Sequence, residues 1–185
     1  MDNSDRTISF ETLHTMAIDA GFDAAGVLDC ATIELHTEVR EACEGNRCKR
    51  YGTNWSCPPG CGTLEECAER IRQYSKGLVV QTVGVLEDEF DAEGMAAAAD
   101  RHEKSFKQLA GQLRRDFPSM LPMGTGSCSI CETCTYPDAP CRSPEGAVAP
   151  MEAYGMIVSD ICKKNNLLYY NGKGTITYTG CFLLI

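Results

Sequence analysis

Eight of the chain's twelve cysteines fall into two short segments, Cys43–Cys61 and Cys128–Cys141. Both segments lie in stretches that have little apolar surface to bury. Arg40–Gly62 combines four cysteines with six glycines and prolines, and Leu121–Pro150 is likewise rich in Gly, Pro and Cys. Ordering backbone costs roughly 1–2 kcal/mol per residue. Without aliphatic packing to offset that cost, the two loops must be organised by something their thiols hold. The fold therefore has to present two thiol-rich loops on a scaffold built from the rest of the chain.

A cysteine-rich chain is a disulfide framework in an oxidising compartment and more often a metal binder in a reducing one. The start, Met1-Asp-Asn-Ser-Asp-Arg-Thr7, is polar and lacks the basic and apolar regions of a secretory leader. No apolar run reaches the roughly 18 residues of a membrane span; Gly77–Leu86 and Cys181–Ile185 are strand-sized. These features predict a cytoplasmic protein whose thiols bind metal, with paired disulfides as the alternative that the compartment disfavours. The formal net charge of −9 repels phosphate backbones and anionic lipid, so nucleic acid is a poor partner.

Periodicity and caps predict the scaffold. Ser9 caps a helix through Ala20, and Ala24–Leu28 reads as a short buried strand. Ile33–Ala42 is helical or mixed. Thr63-Leu-Glu-Glu66 is a capping box that opens a helix to Ser75. Gly77–Leu86 is a Val-rich strand, Glu87–Glu93 a turn, and Gly94–Phe117 a long helix stopped by Pro118. Ser159 caps a short helix to Asn165, and Leu167–Tyr170 with Thr175–Ile185 form a hairpin across Asn171-Gly172. This alternation predicts an α/β protein, with α+β as the alternative. The expected arrangement is one domain over 1–185, a single mixed sheet with packed helices, carrying cysteine loops at about 40–62 and 121–150.

The run Cys128-Ser-Ile-Cys131-Glu-Thr-Cys134 spaces three thiols at two-residue intervals, and Cys141 follows. One turning loop of this spacing can reach three corners of an iron–sulfur cubane, and the run begins like the bacterial ferredoxin pattern. It departs from that pattern in the longer interval to the fourth cysteine. Cys141 either closes the same cluster or ligates elsewhere. The second set, Cys43, Cys48, Cys57 and Cys61, fits a second cluster, with tetrahedral zinc as the alternative its irregular spacing also allows. Neither loop has the C-x3-C-x2-C run of radical chemistry, and the chain contains no GxGxxG or GxxxxGK[ST] nucleotide motif.

Longer stretches around these cysteines carry a resemblance. Cys43…Cys48-Lys-Arg-Tyr51-Gly-Thr-Asn-Trp55-Ser-Cys57-Pro-Pro and Glu65-Glu-Cys67…Tyr74…Leu78-Val-Val-Gln-Thr82 resemble the opening motif of the DUF2284 family of predicted metal-binding proteins. Gly126-Ser-Cys128…Cys131…Cys134…Pro140-Cys141-Arg142-Ser-Pro144 and Met151-Glu-Ala153…Gly155 resemble its closing motif. The resemblance runs from about Ala24 to the C-terminus. It implies a cytoplasmic metalloprotein of prokaryotic type and no particular reaction. It also implies a recurring histidine at His102, read here as a hydrogen-bonded structural residue.

Other residues have plainer readings. Cys67 lies on an apolar helix face and, with Cys30, Cys162 and Cys181, reads as core. Trp55 and Tyr51 shield a site from water. His14 and His36 are surface or helix residues, and Arg142 pairs with an anionic site or a carboxylate. Glu65, Glu66, Glu87, Asp88, Glu89 and Asp91 are caps and solvated turns. The sequence therefore predicts a protein with one or two [4Fe–4S] clusters, passing single electrons to or from a redox protein or larger oxidoreductase. A zinc-bound structural or adaptor protein and a cluster enzyme with an open iron are the alternatives.

Overall fold

A computed structural model describes residues 9–185; the polar Met1–Thr7 start lies outside the described residues. The helix α1 (Phe10–Asp19) is capped by Ser9, whose Oγ accepts from the Thr12 N–H at 3.2 Å. It leads into strand β1 (Ala24–Asp29), and a 3-10 turn at Cys30–Thr32 follows. Helix α2 (Thr37–Glu44) occupies only the later part of the stretch read as helical or mixed, and it supplies the first five residues of the expected cysteine loop. Helix α3 (Leu64–Ile71) opens on the Thr63–Glu66 capping box, with both of its hydrogen bonds made. Strand β2 (Lys76–Val85) and helix α4 (Ala92–Leu113, capped by Asp91) complete the first half.

The second half holds strands β3 (Leu121–Gly124) and β4 (Ala149–Pro150), helix α5 (Val158–Lys164) and strand β5 (Thr175–Leu183). The five strands form one mixed sheet in the order β1-β2-β5-β3-β4, antiparallel except for the β3–β4 pair. The protein is thus α/β, with a single mixed sheet. Alternate residues of β2 and β5 enter two separate cores. Leu78, Val80 and Phe182 pack beneath α1 and α4 with Leu13, Leu109 and Leu113. Val79, Cys181 and Leu183 face the other way, against Cys67, Ile71 and Ile161. Burial on both faces explains why β2 is almost continuously apolar.

Three local expectations give way to longer-range pairing. Leu167–Tyr170 is not a strand, and no hairpin forms across Asn171-Gly172. Instead β5 pairs along its whole length with β2, from Thr175↔Val85 to Leu183↔Gly77. Nine cross-strand pairs, with Thr179–Leu183 buried, outweigh one favourable turn dipeptide, and Leu168, Tyr169 and Tyr170 are left exposed. α5 starts at Val158, so Ser159 lies inside it and Ile157 precedes it without a side-chain cap. The expected closing loop begins and ends as strand, because Met123 and Gly124 pair with Ala149 and Pro150. Parallel neighbours need a crossover of about a dozen residues or more. Here Thr125–Val148, the segment with the four closing cysteines, is that crossover.

Gly77 marks where β2 and β5 approach most closely: a Cβ there would collide with the Phe182 carbonyl oxygen and lie 3.2 Å from Leu183 Cα. Neither neighbour is a side chain that can swing away. Gly77→Ala is therefore expected to lower unfolding free energy by about 1–3 kcal/mol in a denaturant titration, without changing the ligand residues.

Candidate metal centre

The crossover brings Cys128, Cys131, Cys134 and Cys141 to the wall of one small cavity. The remaining wall comes from the first cysteine loop. Ser56 Oγ accepts from the Cys128 N–H at 2.9 Å and is itself tied to Asn54 Oδ1 at 2.7 Å. Trp55 donates from Nε1 to the Ala139 carbonyl at 3.2 Å and meets the Tyr136 ring edge-on, with centroids 4.9 Å apart. Gly60 is required where the loops touch, since a Cβ there would strike the Asn54 carbonyl oxygen and the Tyr136 ring. The two cysteine loops are therefore interleaved: each helps to build the other's site.

The chemistry of this cavity suits a soft metal group. No carboxylate or histidine lines it, and Arg142 stands at its wall, its guanidinium donating to the Thr133 carbonyl at 2.8 Å. The Tyr136, Trp55 and Thr135 backbone N–H groups bond to Cys134, Tyr136 most strongly, and hold its thiol below the usual range. Such N–H···S bonds favour the thiolate that a soft metal needs. Among the described residues no three His, Cys, Asp or Glu side chains sit close enough together to ligate one ion. The four thiols surround a space without meeting at a point.

The first loop divides its cysteines. Cys43, in the last turn of α2, joins Cys48 and Cys57 around a second cavity of about 550 Å³. Glu152, and Gly126 with Ser127 from the crossover, complete its wall. Burial raises both the Cys43 and Cys57 thiols, and neighbouring sulfurs add to the effect: Cys57 and Cys48 on Cys43, Cys48 on Cys57. The three are thus within electrostatic reach of one another. Cys61 is within the same reach of Cys57 but does not line that cavity. It is buried in the core below the sheet, with its Sγ 3.5 Å from the Ala153 carbonyl oxygen.

Arg40 holds it there. The guanidinium lies 3.8 Å from Cys61 Sγ and 3.7 Å from Cys67 Sγ, and donates to the Ala153 and Gly62 carbonyls at 2.8 Å each. The hydrogen bond between the two thiols, together with Arg40 and Arg70, draws Cys67 below its ordinary range while Cys61 is held up. A sequence reading has no means of finding this group: Arg40 sits among Glu38 and Glu41, as a solvated helix arginine would. The roles of Ser56 and Ser127 are likewise invisible in the sequence, because they exist only where the loops meet.

The remaining assignments follow burial. Cys30, Cys67, Cys162 and Cys181 are core, and all twelve cysteines are free thiols. His102 is buried, with Nδ1 3.0 Å from Thr82 Oγ1. Tyr51 and Trp55 are half-buried. Thr63, Glu66 and Asp91 are helix caps.

The model of a family described as predicted metal-binding proteins, DUF2284, matches residues 26–184. The chain belongs to the DUF2284 family. The match spans both cysteine loops and every strand of the sheet except the first two residues of β1. No curated protein and no solved structure matches this DUF2284 chain.

Burial of the core thiols carries a pH signature. Burial, and then the Asp29 carboxylate, pushes Cys30 from 9.0 up to about 11. A folded-state value above the unfolded one gives stability that is complete below pH 9 and is lost as pH rises through about 11. Unfolding free energy should fall across that window, and Cys30→Ala should make the fall shallower by about 1–2 kcal/mol. Denaturant titrations at pH 8, 9.5 and 11 measure the difference.

Proposed function

We propose that the crossover loop holds a [4Fe–4S] cluster through Cys128, Cys131, Cys134 and Cys141, and that the protein transfers single electrons to or from a redox protein or larger oxidoreductase. One observation carries the reading: four thiols line a single cavity without converging. A lone zinc ion takes thiolates at about 2.3 Å, which sets sulfurs about 3.8 Å apart. No trio of ligating side chains among the described residues is arranged in that way. A cubane instead gives each thiolate its own iron, so thiols placed around a space suit it. Twelve free thiols also suit a reducing compartment such as the cytoplasm.

When bound, the cluster supplies a reversible one-electron couple. The chain's own residues do the rest. The N–H groups directed at Cys134 stabilise its thiolate, and Arg142 offsets negative charge at the cavity wall. Trp55 lines the cavity and shields it from water, held by the edge-on Tyr136 ring. Arg47, Lys49 and Arg50 are exposed on the adjoining first loop, a basic patch on a chain of net charge −9. Such a patch favours a partner that docks with an acidic face.

The three-thiol cavity supports a second reading for the first loop. Cys43, Cys48 and Cys57 could serve three irons of a second cluster, while Arg40 keeps Cys61 away. A fourth iron would then face the cavity beside Glu152, as in a cluster enzyme with an open position. This reading is favoured over a four-cysteine second site because Cys61 does not reach the cavity.

Anaerobically purified protein should contain iron with an equal amount of acid-labile sulfide. Cys131→Ala should lose the share of iron and visible absorption belonging to the crossover site, and Cys57→Ala the share belonging to the first loop. Cys61→Ser should retain both. Zinc without sulfide overturns the cluster in favour of the zinc-bound adaptor, and iron loss in Cys61→Ser overturns the three-thiol site.

A further inference from the structure

Two pairs of consecutive residues stand between the thiol cavities. Ser56 lines the four-cysteine cavity, and the next residue, Cys57, lines the cavity shared with Cys43 and Cys48. In the crossover, Cys128 lines the former space and the preceding residue, Ser127, the latter. Consecutive Cα atoms are about 3.8 Å apart, so at both places the two spaces come within about one residue of each other.

Hydrogen bonds tie one pair to the other. Ser56 and Asn54 are buried. The Ser56 hydroxyl donates to Asn54 Oδ1 at 2.7 Å, which also accepts the Ser56 N–H at 3.0 Å. Asn54 Nδ2 donates to the Arg50 carbonyl at 3.2 Å, so the side chain that orients the hydroxyl is itself fixed. With its proton committed to Asn54, Ser56 Oγ is left as an acceptor and takes the Cys128 N–H at 2.9 Å. The Asn54 and Ser56 side chains also contact the Cys57 thiol. One buried hydroxyl thus touches a thiol of the first loop and the backbone of a cysteine of the crossover.

Covalent and hydrogen-bonded contacts carry electrons across a partition far better than an open gap of the same width. Arg50, whose carbonyl holds Asn54, also lines the first-loop cavity and belongs to the basic patch that suits an acidic partner. The patch, the first-loop cavity, the hydroxyl and the four-cysteine cavity therefore follow one another through continuous contacts.

We propose that Ser56 joins the two thiol sites into an electron-exchanging pair, with the first loop as the entry side. The inference rests on reading both cavities as cluster sites. In the exchange one electron leaves the group held beside Cys57 and enters the group held beside Cys128; no bond forms or breaks and no proton moves. Ser56 acts through the two cysteines and is a positioning residue.

The test is low-temperature EPR on anaerobically purified protein reduced with dithionite, with iron and sulfide assayed on the same samples. The parent should show a signal split by two neighbouring reduced groups, whereas Cys57→Ala and Cys131→Ala should each give one unsplit signal. Ser56→Ala should keep the iron and sulfide of both sites. In that variant a single electron delivered by a flavin photoreductant, followed by rapid-freeze EPR, should pass between the sites at least fivefold more slowly than in the parent. Ser56→Thr, which keeps the hydroxyl, should restore the parent rate. Two filled sites with unsplit signals overturn the pair and leave the crossover cluster standing, as does iron for the crossover site alone. An unchanged rate in Ser56→Ala, loss of its iron, or no rescue by Ser56→Thr overturns the role of Ser56. Zinc without sulfide overturns the cluster reading itself, and the pair with it.

Discussion

The pairing of β2 with β5 governs the placement of everything else. These strands run antiparallel over nine residue pairs and are buried on both faces where Gly77–Gln81 meets Thr179–Leu183. α1 and α4 cover one face, while α3, α5 and the Met151–Tyr154 turn cover the other. Because the middle of the sheet is occupied in this way, β3 and β4 can add only at an edge. Their parallel pairing then forces a long crossover. In many α/β proteins a helix makes that connection; here a thiol-rich loop does, anchored at both ends by strand pairing and held against the first loop by Ser56 and Trp55. The candidate centre is thus fixed to the sheet at its edge, which gives an otherwise coreless loop a rigid base.

Electrostatics then divides the thiols. A cysteine can be apolar core or metal ligand, and its surroundings decide between them. Arg40 reaches from α2 into the core, satisfies two carbonyls, and lies against Cys61 and Cys67 together. A buried guanidinium is costly unless its donors are used, and here carbonyl oxygens and sulfurs use them. The outcome is that Cys61, four residues after Cys57, belongs to the core while Cys57 belongs to a cavity. At Cys134 the backbone N–H groups of the crossover and of Trp55 act the other way and hold the thiol below its usual range.

Much of the scaffold was legible because it is local. The Ser9 cap, the Thr63–Glu66 capping box, the apolar face of α3 and the doubly buried β2 each depend on residues within a turn or two of one another. That the four closing cysteines come to one cavity follows from their lying in a single loop. What failed involved distant partners. Asn171-Gly172 is a good turn by itself, but β5 gains more from β2 than from a short neighbour. Ser159 is a good cap residue, but α5 begins one residue before it.

The sequence by itself determined that this chain is an α/β scaffold carrying two thiol-rich loops. Periodicity, capping and ligand spacing are short-range properties, and they survive being read along a line. Only the tertiary structure decided that Cys61 is buried against Arg40 and Cys67, that the two loops build each other's cavities, and that His102 packs against Thr82 in the core. Each of those depends on groups from separate elements meeting in a buried space. There, the cost of an unpaired charge or polar atom selects the arrangement, and that cost has no counterpart in the order of residues.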